Sequence, residues 1–265
     1  MKTLSLPTMK ILHSRIYGED QPGTPLLVMH GLFGMSDNWG SFGREFGEQR
    51  SIHLLDLRNH GQSFHSEDMS LAAMVDDLEA YVQHYGLQEV DILGHSLGGK
   101  VAMQYAISKS TNIRKLIIAD IAPKAYPPHH EKIIEALQAV KINELSNRKE
   151  VEEQLRQYID ETGVIQFLLK NVYIKEDRTL DWRFNLKTLT DKYAEFITVG
   201  VEAGVYDGET LFLAGEKSNY ISEADYPMIK EMFPHSAIQT VPKAGHWVQA
   251  ENPKAFSELV TQFLS

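Results

Sequence analysis

Residues 93–100 read LGHSLGGK, a single serine, Ser96, set among Gly94, Gly98 and Gly99. The segment before it, EVDILG, is a short apolar run that reads as a strand. The segment after it, KVAMQYAISK, carries Val101, Ala102, Tyr105 and Ala106 at helical spacing. Ser96 therefore sits on a sharp turn between strand and helix. Such a turn strains its central residue, and small residues on either side let neighbouring backbone approach without collision. The pattern predicts a serine hydroxyl presented at the carboxyl edge of a sheet.

Outward from this turn, short apolar runs recur: LLVMH (26–30), IHLLDL (52–57), VDILG (90–94), LIIAD (116–120), TLFLAG (210–215) and AIQTV (237–241). Runs of this kind are strands buried on both faces. Helical patterns lie between them, such as MSLAAMVDDLEAYVQHYG, whose Leu71, Met74, Val75, Leu78, Tyr81 and Val82 form one stripe closed by Gly86. Strands alternating with helices imply an α/β chain: a mostly parallel central sheet flanked by helices. The alternation breaks between Pro123 and Tyr206. There HEKIIEALQAV, VEEQLRQYI, VIQFLLK and LKTLTDKYAEFI carry helical stripes and no convincing strand. A structureless loop of that length is implausible in a compact domain, so residues 123–206 are read as a helical cap, or lid, inserted into a core of residues 1–122 and 207–265.

Bulk properties limit the function classes. The 265 residues are 43% hydrophobic and 23% charged, enough for a sizeable core. A net charge of −10 argues against general nucleic-acid binding, because phosphate backbones repel such a surface. With no cysteine, disulfides, thiolate metal sites and a cysteine nucleophile are excluded. The start, MKTLSLPTMKILHS, is interrupted by Pro7 and has no small-residue cleavage site, and no apolar run is long enough to span a bilayer. The expectation is a cytoplasmic protein without stable membrane insertion, a monomer or homodimer. No H-E-x-x-H or comparable ligand cluster occurs, so neither metal nor cofactor is expected.

Gly94-His95-Ser96-Leu97-Gly98 is the G-x-S-x-G nucleophile elbow in its confirming strand-turn-helix context. A serine hydroxyl is a poor nucleophile at neutral pH and needs a base to take its proton. His246, in KAGHWVQAENP, follows the last strand and precedes a final helix, which puts it at the same edge as Ser96. The tetrahedral intermediate of acyl transfer also needs donors for its oxyanion. One is the amide of Leu97 at the helix start. The other is expected in HGLFG after the LLVMH strand, where Gly31 and Gly34 permit a tight bend: Leu32 first, Phe33 as the fallback. His30 and His95 are read as structural, and His129 and His130 as exposed.

HGLFG, DLRNHGQS, GHSLGGK, IADIAP and GHW, in this order over nearly the whole chain, resemble an α/β-hydrolase of the YbfF-type esterases. The resemblance implies the α/β-hydrolase fold, with the cap between strands 6 and 7, and a serine hydrolase acting on acyl or aryl esters or thioesters, acyl-CoA included. In many members the triad acid lies about three residues after a glycine that ends the strand before the last. Here Ser218 holds that place and cannot carry charge. Asp120 ends LIIAD beside the nucleophile strand, and adjacent strands are only about 4.8 Å apart. IADIAP matches the variant of the fold in which the acid follows this earlier strand. Glu216 and Asp207 are the alternatives, and an aspartate at a strand end also commonly caps a turn.

Specificity rests on weaker signals. Phe33, Tyr126, Phe167, Trp182 and Trp247 are expected to line an acyl pocket, with Leu32, Tyr173 and Phe184 as further candidates. Arg58 could meet the phosphate of an acyl thioester, but a loop-stabilising salt bridge is the preferred reading. Carbon–carbon bond hydrolases and perhydrolases keep the same three residues, and a non-catalytic binding module would keep the scaffold alone.

Overall fold

The six apolar runs are strands, and three more occur among the described residues: the strands are β1 (Ser14–Tyr17), β2 (Leu26–Met29), β3 (Ile52–Leu55), β4 (Val90–His95), β5 (Ile113–Ala119), β6 (Val172–Ile174), β7 (Leu180–Trp182), β8 (Glu209–Gly215) and β9 (Ser236–Val241). The computed structural model describes residues 10–109 and 112–265, so most of the stretch MKTLSLPTMKILHS lies outside the described residues. Seven strands make one sheet in the order β1-β3-β2-β4-β5-β8-β9. Every pairing in it is parallel except that of β1 with β3.

Alternate side chains of these strands feed two cores. Leu27, Met29, Ile92 and Ile118 belong to one, and Leu26, Val28, Leu93 and Ile117 to the other. That double burial is why the strands read as continuous apolar runs. The helices are α1 (Gly40–Phe46), α2 (Leu71–His84), α3 (Leu97–Lys109), α4 (Glu131–Ala139), α5 (Arg148–Leu155), α6 (Thr162–Leu169), α7 (Leu186–Asp191), α8 (Tyr193–Ile197), α9 (Tyr226–Met232), α10 (Val248–Glu251) and α11 (Pro253–Leu264). The stripe of α2 and the buried face of α3 fill the first core, while Phe42 and Phe46 of α1 and Phe256, Val260 and Leu264 of α11 fill the second.

Helices α4 to α8 lie in chain order between β5 and β8, over the stretch expected to be helical. Two corrections apply. This stretch also contains strands, because β6 and β7 pair as an antiparallel hairpin; at three residues each they are too short to give a readable period. Among the described residues the helical stretch follows the fifth strand of the main sheet and precedes the sixth, so placing it between strands 6 and 7 overcounts by one. The edge strand β1, SRIY, was also not anticipated, since it is half-exposed and shows no apolar run.

The helical segment is tied down at both ends. The Val201 N–H donates to the Pro123 carbonyl (2.8 Å), closing the segment on itself. The buried Lys100 ammonium on α3 donates to the carbonyls of Ile197 (2.6 Å) and Val199 (2.7 Å). Farther in, the Asn171 amide donates to the Phe33 carbonyl (2.9 Å) and the Asn185 N–H to the Asn59 carbonyl (2.9 Å).

Two buried histidines hold the loop after β2. His30 donates from Nδ1 to the Gly31 carbonyl (2.7 Å) and accepts the Leu57 N–H at Nε2 (3.1 Å). His60 donates from Nδ1 to the Arg58 carbonyl (2.9 Å) and accepts the Phe33 N–H at Nε2 (3.2 Å). Each ring must be neutral to accept at Nε2. Burial lowers the pKa of both, that of His60 to about 3. Arg58 itself forms the loop-stabilising pair: its guanidinium meets both carboxylate oxygens of Asp77 (2.5 and 2.7 Å) and the carbonyls of Asp68 and Ala73.

A Cβ added at Gly94 would lie 2.3 Å from the Gly98 carbonyl oxygen, and one at Gly98 would lie 2.6 Å from that of Met29. Gly94→Ala is therefore expected to cost about 3 kcal/mol or more, read as a fall in Tm of roughly 6–12 °C by thermal unfolding; an unchanged Tm would contradict this packing. Stability should also drop with acid. An unfolded His60 titrates near its ordinary 6.5 and the folded one near 3, so the unfolded state binds the extra proton between those values. This group's contribution is complete above pH 6.5 and falls through that window, by about 2 kcal/mol at pH 5. Tm measured at pH 7.5 and pH 5 checks this, and equal values would oppose it.

Candidate active site

Ser96 follows β4 with a φ of +52°, in the left-handed region that a non-glycine residue rarely adopts. The strain is held by backbone on both sides. The Ser96 N–H donates to the Ala119 carbonyl at the end of β5 (3.1 Å), and the Gly98 N–H to the His30 carbonyl at the end of β2 (3.1 Å). In the β4–β5 register His95 pairs with Ala119, so Ser96 and Asp120 are the next residues along adjacent strands.

Asp120 also has a positive φ, +50°, and is fully buried. Its Oδ1 accepts the Gly215 N–H at the end of β8 (2.8 Å). Its Oδ2 accepts from the Ser218 hydroxyl and lies 2.8 Å from Nδ1 of His246. The carboxylate thus reaches across the end of β8 to the histidine delivered by the loop after β9. Because a carboxylate only accepts, Nδ1 of His246 is the donor in this contact, and Nε2 has no protein partner among the described residues. The His246 carbonyl accepts from Nε2 of His95 (2.8 Å), whose pKa burial lowers to about 3. The Tyr220 ring stacks on the imidazole at 3.8 Å between centroids.

The competing acids do not converge here. Glu216 follows β8 but is exposed and accepts the Lys243 N–H (2.6 Å). Asp207 is exposed and precedes β8, at the opposite end of that strand. Ser218 stands where many relatives of this fold keep the acid, and its hydroxyl supports Asp120 instead. Sequence reasoning noted its place and missed this role; the stacked Tyr220 left no readable signal.

Two backbone amides lie near Ser96. Leu97 opens α3, so its N–H has no acceptor within the helix. In the loop after β2 the Phe33 N–H is committed to His60 and the Gly34 N–H to the Gly31 carbonyl (2.9 Å), whereas the Leu32 N–H has no protein acceptor among the described residues. A Cβ on Gly31 would lie 3.1 Å from Cβ of Ser96, which is how closely this loop approaches the serine.

Ser96 and His246 open into one cavity of about 230 Å³. Leu32, Phe33, Phe167 and Trp247 line it as expected, joined by Ile133, Val164 and Leu168. His129 and His130 also line it; His129 is exposed, as read from the sequence, whereas His130 is half-buried. Tyr126 lies in a second, much smaller void beside Lys100 and Leu97, where its hydroxyl accepts the Ala122 N–H (2.8 Å). Trp182, Tyr173 and Phe184 are outside the cavity lining. Trp182 stacks on Phe184 (9° between rings), which packs on Phe33, so it backs the wall rather than forming it.

A profile of the alpha/beta hydrolase fold matches residues 24–157. Mouse sn-1-specific diacylglycerol lipase ABHD11 is 37% identical over 91% of this chain and 80% of its own length. The esterase YbfF of Escherichia coli K12 is 35% identical over 91% of this chain and 93% of its own. Among solved structures, a marine microorganism esterase superimposes with a TM-score of 0.93 at 40% identity, covering 96% of this chain and 99% of that one. Agreement of sheet, elbow and relatives over nearly the full length leaves one conclusion: this chain belongs to the alpha/beta hydrolase family.

Proposed function

We propose that this chain hydrolyses carboxylic esters, and thioesters by the same chemistry, through an acyl-serine intermediate. Ser96 is the nucleophile, His246 the base and Asp120 the acid. The carrying observation is the His246 Nδ1 to Asp120 Oδ2 contact of 2.8 Å beneath a histidine that shares its cavity with a strained serine. The esterase and lipase names of the relatives at 35–40% identity support the same reaction class.

Ser96 Oγ attacks the carbonyl carbon as Nε2 of His246 takes its proton. Asp120 holds the tautomer and stabilises the imidazolium, and the Leu97 and Leu32 amides receive the oxyanion. The imidazolium then protonates the leaving alcohol or thiol. Water enters by the same base, attacks the acyl-serine and releases the acid. Residues 123–206 act as a lid over a core of 1–122 and 207–265, since Ile133, Val164, Phe167 and Leu168 supply the apolar wall opposite Ser96. That wall suits an acyl chain. With all three guanidinium nitrogens of Arg58 committed to Asp77 and Ala73 of α2 and to the Asp68 carbonyl, a phosphate contact there has no support.

A p-nitrophenyl ester series from acetyl to palmitoyl tests this reading. Wild type is expected to turn over with a short- to medium-chain optimum, and Ser96→Ala to be inactive. Asp120→Asn should fall by roughly 10⁴-fold in kcat, because an amide favours the wrong histidine tautomer, while Glu216→Gln stays within a few-fold. Near-normal Asp120→Asn would move the acid elsewhere, and a wild type inert to the whole series would favour a binding module. Phe167 and Trp247 meet with ring centroids 5.4 Å apart. Phe167→Ala should open this wall and move the optimum to longer chains; an unmoved optimum would place the acyl group elsewhere.

A further inference from the structure

We propose that Tyr220 and His129 are a positioning pair for the base: His129, from the helical segment, holds the phenol ring of Tyr220 flat against His246, fixing the imidazole and favouring its protonated form. This rests on the reading of His246 as the base.

The two rings are nearly parallel, 15° apart with centroids 3.8 Å from each other. Tyr220 is restrained at three points. Its N–H donates to Ser218 Oγ (3.2 Å), its carbonyl accepts from the Tyr126 hydroxyl (2.5 Å), and its own hydroxyl meets Nε2 of His129. Nδ1 of His129 lies 2.7 Å from the Pro127 carbonyl oxygen, which can only accept, so Nδ1 carries a proton, and in the neutral ring Nε2 is left to accept from the phenol. Burial pushes the Tyr220 phenol upward from its ordinary pKa, which keeps it a donor. Packing alone calls for none of these three restraints.

Stacking offers the imidazolium the negative face of the phenol ring, an attraction absent for the neutral imidazole. It acts in addition to Asp120 below and His95 at the end of β4, whose ring centroid is 4.8 Å away. His129 and His130, just before α4, line the same cavity from the helical segment. Burial keeps His130 neutral, with a pKa lowered to about 3, and its Nδ1 is engaged with the Tyr193 hydroxyl (2.7 Å). The alignment of the base therefore depends on the segment being seated.

The experiment follows His246 itself, by an NMR titration of its Cε1–H signal, alongside kcat and KM for a p-nitrophenyl ester. In Tyr220→Leu the imidazole pKa should fall by roughly half a pH unit, with kcat reduced about tenfold and KM little changed. Tyr220→Phe keeps the ring face and should retain the pKa while losing several-fold in kcat. His129→Leu should match Tyr220→Phe, and His129→Gln, which can still accept from the phenol, should recover most of the rate. An unshifted His246 in a folded Tyr220→Leu overturns the proposal. If that variant does not fold, equal rates for His129→Leu and His129→Gln overturn it instead. The titration also separates the two readings: hydrolysis that survives Ser96→Ala refutes the proposed function, whereas an unshifted His246 with Ser96 still essential refutes only the pair.

Discussion

How closely α3 approaches the end of β4 is the constraint on which the site depends. Gly98 touches the Met29 and His30 carbonyls of β2 so tightly that a Cβ would lie within 2.7 Å of both, and Gly94 is crowded by the Gly98 carbonyl in the same way. Close approach forces the chain to reverse within one residue, and Ser96 takes the strained conformation that results. The hydroxyl then projects from the turn while the first amides of α3 stay unpaired inside the helix.

Asp120 is a buried carboxylate at this edge, and three histidines of the neighbouring loops are held as neutral rings. Asp120 is satisfied by a backbone amide, a serine hydroxyl and the His246 N–H, the condition for burying a charge at tolerable cost. His30, His60 and His95 are kept uncharged by burial and act as hydrogen-bonding struts for the loops that carry Leu32 and His246. Protonating one of them would place a cation where only donors and acceptors are matched. Four histidines of similar chemistry thus divide into three struts and one candidate base, His246, which is set apart by its contact with Asp120.

Much of this was legible in the sequence because local rules act there. Strands buried on both faces read as apolar runs, and G-x-S-x-G between a strand and a helix has few meanings. Asp120 was reached by adjacency of strands, and the structure places it one residue past the His95–Ala119 pair. What remained unread depends on packing between distant segments. Trp182 and Phe167 are both aromatic residues of the helical segment, yet one backs the wall and the other forms it. The hairpin β6–β7 is too short to show a period, and the Ser218 and Tyr220 contacts join residues about 100 and 26 positions from their partners Asp120 and His246. No local pattern encodes such a meeting.

The central claim is that Ser96 becomes acylated with help from His246. A fluorophosphonate, which reacts with serine only when a neighbouring base and oxyanion donors activate it, tests that step without assuming a natural substrate. Intact-protein mass spectrometry should show one adduct per chain, mapped after digestion to the peptide containing LGHSLGGK and absent from Ser96→Ala. A protein left unmodified, or modified equally in Ser96→Ala, would contradict the account.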